Sequence, residues 1–383
     1  MTTVTLSSRN LLALLTALAA LMALAPAASA APRKVPQGFY GVMYDSAGLR
    51  PPADADQDRQ FALMARSGVE TVRLAFIWSN LQPSKDSEFD FGYTDRYVRL
   101  AASHGIQVLP VMLYAPPWAR VFEGRLFSPP KTQPYLEFLT ASIERYGPRG
   151  SFWKENPVLK RRPIRDWQIW NEPNTSTFWD VKRGSALKWP RGYGNLLSAS
   201  NRAIKEADSG ARTVTAGVVG RAWRELRRLY RVAGKNSFDV AAVHIYPQTE
   251  ERVLGALRLT RRAMLDHGDR AGRMMLTETS FPASLRRVKP IADQRQETKI
   301  GMARRITKLF RILVKNKKDL HLDKVFWYTW VSSYTHPSSN FEYAGLLAAP
   351  GAKNFRAQPG LRAYRRSAAR DEGCAKTSRG TCR

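Results

Sequence analysis

Between residues 38 and 331, eight short and nearly continuous apolar runs alternate with longer segments of helical periodicity. The runs are 38–43, 69–76, 107–114, 164–170, 212–218, 238–246, 273–279 and 324–331. Helical segments start near Asp54, Tyr93, Thr132, Tyr193, Trp223, Glu250 and Gln294, and a last one covers about 357–368. A strand that is apolar on both sides must be covered on both faces, and parallel neighbours need a crossover of a dozen residues or more. Eight such units in roughly 340 residues predict a single (β/α)8 TIM barrel, an α/β fold whose sheet closes on itself inside a ring of helices. A doubly wound open sheet is the alternative. It would carry a glycine-rich first turn, and residues 38–48 hold no Gly-x-Gly-x-x-Gly. Of the 383 residues, 44% are apolar, enough for one large core, and no repeat or interdomain linker interrupts the pattern. Pro110 argues against a central strand at 107–114.

The flanks are of another kind. Residues 1–30 read as a secretory signal: Arg9, an apolar run from Leu11 to Leu24, Pro26, and the small-residue site Ala28-Ser29-Ala30, with cleavage after Ala30. The expected organisation is therefore a signal over 1–30, the barrel over 31–356, and a terminal helix with a basic tail over 357–383. Cys374 and Cys382 both lie in that tail. Export permits a disulfide between them that closes a short terminal loop without bracing the core. No later run is long and apolar enough to cross a bilayer, so the chain is expected outside the cytoplasm, secreted or periplasmic, and as a monomer. Lys and Arg outnumber Asp and Glu 61 to 32, a formal charge of +29. A balance this basic favours polyanions: an acidic polysaccharide, an anionic cell-wall polymer or lipid headgroups. The cations are scattered over most of the chain, which favours the plainer reading of a solvated, Arg-rich surface. Zinc spacing and basic-aromatic modules are absent, which excludes the common nucleic-acid binders. Without His-Glu-x-x-His or a dinucleotide fingerprint, no metal and no organic cofactor is implied.

Chemistry is expected where the apolar runs end in polar residues, because a barrel keeps its site at the carboxyl ends of its strands. The fourth run ends Gln168-Ile169-Trp170-Asn171-Glu172-Pro173-Asn174, and the seventh ends Leu276-Thr277-Glu278-Thr279. Strands four and seven face each other across a closed eight-stranded mouth, so Glu172 and Glu278 can converge. Two carboxyl groups are what cleavage of a glycosidic bond requires: one protonates the leaving oxygen, and the other attacks the anomeric carbon or activates water. The proton carrier should be the more desolvated or the nearer to negative charge, and Trp170 stands beside Glu172 for that purpose. Arg73 near the end of the second run, and His244 and Tyr246 on one face of the sixth, are candidate donors that would keep Glu278 ionised. Asn171 could bind a sugar hydroxyl. Sugars stack their C–H faces on aromatic rings, so Trp78, Trp118 and Trp179 in the loops and Trp330 in the eighth run are candidate walls. Trp330 is the expected floor under the reacting sugar.

Four stretches carry a resemblance: Trp170-Asn171-Glu172-Pro173, His244-Ile245-Tyr246-Pro247, Thr277-Glu278-Thr279 and Trp327-Tyr328-Thr329-Trp330. Together they resemble the clan A retaining glycoside hydrolases, and the Trp-x-Ile-Trp-Asn-Glu-Pro-Asn pattern is similar to family 39, with family 5 also near. The resemblance covers residues 38 to about 350. It implies Glu172 as acid/base, Glu278 as nucleophile, Asn171 on the 2-hydroxyl, Tyr246 holding Glu278, Trp330 beneath the sugar, and a non-proline cis peptide at Trp330–Val331. The substrate it implies is a poly- or oligosaccharide, possibly acidic. Transglycosylation by the same two glutamates, and a non-catalytic carbohydrate- or polyanion-binding barrel, remain alternatives.

Overall fold

The computed structural model describes residues 32–44, 54–246, 248–289, 296–332, 339–348 and 355–373. Eight parallel strands close into a barrel in chain order. They are β1 (Tyr40–Met43), β2 (Thr71–Ile77), β3 (Gln107–Leu113), β4 (Asp166–Ile169), β5 (Arg212–Val214), β6 (Val240–His244), β7 (Arg273–Thr279) and β8 (Leu322–Trp327). Pairing of β1 with β8, Val42 opposite Trp327, makes the closure. The covering helices are α1 (Asp54–Arg66), α2 (Gly92–Ser103), α3 (Thr132–Tyr146), α4 (Arg191–Ala207), α5 (Ala222–Ala233), α6 (Glu250–Asp266), α7 (Lys299–Leu320) and α8 (Pro359–Glu372). The signal segment and both tail cysteines lie outside the described residues. Among the described residues no helix is long and apolar enough to cross a membrane.

Local chemistry fixes the element ends. Thr249 and Thr298 accept from the backbone N–H three residues on and start α6 and α7. Pro359 opens α8, and Gly373 in the left-handed region closes it. α8 belongs to the barrel rather than to a separate tail: it packs on α7, Tyr364 donates to the Gly41 carbonyl at 3.1 Å, and Tyr40 donates to Asp371 at 2.6 Å. Pro110 is tolerated inside β3 because pairing with β4 begins only at Val111. Two strands, β5 and β8, end four residues short of their apolar runs. β5 stops at Val214, with only a bridge from Val218 to Val243 beyond it. β8 stops at Trp327, after which the chain turns away to form β9 (Val331–Ser332), which joins β10 (Leu347–Ala348) and β11 (Arg356–Ala357) in a small separate sheet.

Two apolar layers hold the fold. The larger fills the space between strands and helices. The smaller, built of Leu109, Val214, Val240, Ala242, Met275 and Phe326, plugs the barrel interior. That plug makes the barrel a packed core, as expected of a fold that keeps its site at the carboxyl ends of the strands.

Candidate active site

A cavity of about 480 Å³ opens at that end, and Arg73, Asn171, Glu172, Tyr246 and Glu278 line it. The β4 end is strained to reach it. Trp170 and Glu172 have φ of 68° and 39°, in the left-handed region that non-glycine residues avoid. Packing enforces the turn. The Trp170 indole donates to the Phe178 carbonyl at 2.5 Å and lies edge-on against Trp179, while Thr175 donates twice to the Glu172 carbonyl at 3.0 Å. Trp170 therefore shapes the turn instead of desolvating Glu172. The Glu172 side chain is 16% exposed against 9% for Glu278, so the expected order of burial is reversed.

Arg73 on β2 is buried and organises the floor. Its guanidinium donates to Glu278 Oε1 at 2.5 Å, to Asn171 Oδ1 at 2.7 Å and to Gln168 Oε1 at 2.7 Å. Since Arg73 claims the Asn171 oxygen, the Asn171 amide presents its N–H donors to the cavity. Tyr246 donates to Glu278 Oε2. Burial drives the Glu278 carboxyl toward the neutral form. The electrostatic effects of His244 and of Arg73, with the hydrogen bonds from Tyr246 and Arg73, outweigh it, and the carboxyl is held below its ordinary pKa. Burial, and then the Glu278 charge, push the Tyr246 phenol well above its own ordinary value, so it stays a donor.

His244 joins the two carboxyl groups. Its Nδ1 lies 2.7 Å from Glu172 Oε1 and 3.5 Å from Glu278 Oε2. A register shift between Val243 and His244 re-aims the ring into the site. A Cβ placed on Gly217 would lie 1.9 Å from His244 Nε2, so only glycine leaves the ring its place. Gly217→Ala is expected to move His244 off Glu172 and to lower turnover by about 100-fold, the usual cost of an ångström-scale displacement. In a His244→Ala background the same change should cost little, and a double-mutant cycle measured in kcat reads the coupling.

Oxygen atoms of Glu172 and Glu278 and a nitrogen of His244 all lie within 4.8 Å of one another. Such a trio could hold a divalent cation in principle. The Arg73 guanidinium on Glu278 opposes a second positive charge there, and His244 Nδ1 is already committed to Glu172.

The tryptophans fall elsewhere. Trp330 is fully buried, and its backbone bonds to Met43 and Leu347 tie it between β1 and β10. Trp78 is buried and stacks on Phe138; Trp118 stands half-buried and edge-on to Trp78; Trp179 is buried with its indole on the Leu187 carbonyl. None lines the cavity. Its aromatic walls are Tyr114 and Phe178 on one side and Tyr328 and Phe341 on the other. The cis peptide lies at Tyr328–Thr329, not at Trp330–Val331. Both corrections have one cause: β8 ends at Trp327, so the first residue past the strand is Tyr328, and Trp330 has already left the barrel. Gln168 could have been found from sequence as the lone amide in an apolar run. Phe341 carried no such signal.

Comparison with known proteins follows the same line. The protein-family model for beta-galactosidase, of glycoside hydrolase family 42, matches residues 52–118. A search of curated proteins finds no match to the sequence. Among solved structures, a family 39 glycoside hydrolase from Bacteroides cellulosilyticus superposes with a TM-score of 0.66 at 16% identity, over 88% of this chain and 64% of that one. A monomeric beta-xylosidase from Caulobacter crescentus gives 0.64 at 16% identity, over 88% and 69%. An endoglucanase from Pseudomonas stutzeri gives 0.54 at 14% identity, over 87% and 95%. The chain thus spans under two thirds of the family 39 enzyme's length and nearly all of the endoglucanase's. At these identities the likeness is one of fold, a (β/α)8 barrel. The resemblance to clan A glycoside hydrolases seen in the sequence meets a glycoside hydrolase family model and glycoside hydrolase folds.

Proposed function

We propose that the protein is an exported retaining glycoside hydrolase, with Glu278 as nucleophile and Glu172 as acid/base. The observation that carries this reading is the pair itself: two glutamates on opposite strands, with oxygens within 4.8 Å across an open cavity. Inverting enzymes hold their carboxyl groups roughly 6.5–9.5 Å apart to admit a water, whereas retaining ones need only about 5–5.5 Å. The burdens differ as double displacement demands. Glu278 is held ionised by Arg73 and Tyr246 and can attack the anomeric carbon. Glu172 faces that negative charge and shares an oxygen with His244, which suits the group that gives and then recovers a proton. Asn171 offers its amide to a hydroxyl beside the reacting carbon.

The cavity favours a neutral sugar. Arg73 is the single cation among the described residues lining it, and its donors are spent on Glu278, Asn171 and Gln168. Among the described residues a carboxylated sugar would find no uncommitted cation there. A panel of aryl glycosides and neutral and acidic oligosaccharides, read by NMR of the first-formed anomer, tests the reading. Release of a neutral sugar with retained configuration is expected. Inversion, or no release from any member, would overturn it.

The pH profile gives a second check. Glu278 must be ionised to attack, and its pKa lies below the ordinary value, so activity should persist into acid and fail only as pH falls through that depressed pKa. Arg73→Gln removes an opposing charge and leaves the burial in place. The acid limb of kcat/KM should then move up by about one to two pH units, the size of a lost close charge. An unmoved limb would detach Arg73 from the ionisation of Glu278.

A further inference from the structure

The charge of +29 is not spread evenly once the helices take their places. α1, α2 and α3 hold acids and bases in near balance, whereas α7 carries eight Lys or Arg and one acid, Asp319. Arg304, Lys308, Arg311, Lys315 and Lys318 are all exposed. Their intervals of four, three, four and three residues put them on one helical face, a row about 21 Å long at 1.5 Å per residue. The helix cannot turn this row inward. Its other face, from Met302 and Ile306 to Leu313 and Leu320, is buried against the barrel.

Lys308 is paired with Glu251 at 2.7 Å. Arg304, Arg311, Lys315 and Lys318 have no carboxylate partner among the described residues. Like charges four residues apart destabilise a helix, and among the described residues Lys308 alone of the five has carboxylates to offset this. The flanking helices add to it: α6 contributes exposed Arg258, beside Arg262 paired with Asp266 at 2.9 Å, and α8 contributes exposed Arg362 and Arg366. Because α7 follows the carboxyl end of β7 and leads into β8, the row runs down the side of the barrel, away from the cavity mouth.

We propose that this face of α7, with its neighbours on α6 and α8, binds a linear acidic polysaccharide and retains the protein on it, separately from the cavity. A row of cations at near-regular intervals matches a chain with a charge on successive units. A helix that lies on a membrane buries an apolar face in it, and that of α7 is spent on the core. Platforms for single-stranded nucleic acid interleave aromatic rings, and none stands in this row. The surface does not depend on the glycosidase assignment, so it can fail or survive alone.

The test is binding to sodium polygalacturonate across a salt series. One variant combines Arg304→Gln, Arg311→Gln, Lys315→Gln and Lys318→Gln. A control removes four exposed cations elsewhere: Lys85→Gln, Lys154→Gln, Lys160→Gln and Arg202→Gln. Gln is close to Lys and Arg in helix propensity, so both should melt with the parent protein. The α7 variant is expected to bind at least about tenfold more weakly, and its slope of log affinity against log salt should flatten by about 3, the share of four released counterions on a single-stranded polyanion. The control should change affinity by less than about twofold. Equal losses in both variants would overturn the proposal, as would absence of binding by the parent protein. Because Leu259 and Leu265 are exposed on α6, vesicles of phosphatidylglycerol form a further arm. Binding to these and not to the polymer would also overturn it.

Discussion

Glu278→Gly abolishes hydrolysis, and added azide restores turnover by forming a glycosyl azide of inverted configuration. That is the expected result if Glu278 forms the covalent intermediate. The wild-type carboxylate is fixed on both oxygens, by Arg73 and by Tyr246, so its attack needs no reorganisation. Removing it should lower kcat on the order of 10⁵-fold, as removal of other covalent nucleophiles does. The glycine leaves a hole on the side from which attack comes. Azide fits there, attacks from the same face, and cannot be displaced in turn, so one inversion is left where two occurred. Arg73 stays behind as a buried cation without its carboxylate, which favours a small anion in the gap. Rescue with retained configuration would move the nucleophile elsewhere, and full activity without azide would remove the carboxylate from the chemistry.

The barrel was legible because its signal is repeated eight times and depends on period, not on any one residue. Strand ends were less so: an apolar run continues past the point where pairing stops, and 212–218 and 324–331 both did. Polar residues at strand ends were readable for the opposite reason. A glutamate, an arginine or a histidine closing an apolar run is costly without a partner, and Arg73, Asn171, Glu172, His244, Tyr246 and Glu278 do gather at one cavity. Tryptophans gave no such discrimination. An indole in a loop is equally at home against the core and facing a ligand, and Trp78, Trp118, Trp179 and Trp330 all took the former place. Charge behaved likewise: Lys and Arg are spread along the chain, and it is the outward face of α7 that lines up five of them.

Glu172→Ala is expected to split substrates by their leaving groups. A sugar or alkyl alcohol leaves poorly unless its oxygen is protonated as the bond breaks, and loss of a positioned acid should lower its turnover by about 10²–10⁴-fold. A dinitrophenyl glycoside needs no such help, so Glu278 should still be glycosylated at nearly the original rate. The second step then stalls, because water attacking the intermediate has lost its base. A burst of dinitrophenol followed by a slow steady state is the signature, with the sugar trapped on Glu278. Azide, which has no proton to lose, should relieve the stall and give a product of retained configuration, opposite to that of Glu278→Gly. The pair of experiments separates the two glutamates by stereochemistry, so a general loss of folding cannot imitate it. His244 adds a further distinction. It touches Glu172 at 2.7 Å and Glu278 at 3.5 Å, so Gly217→Ala, which displaces the ring, should resemble Glu172→Ala: a loss concentrated on poor leaving groups. A loss equal for all leaving groups would instead assign the main role of His244 to Glu278.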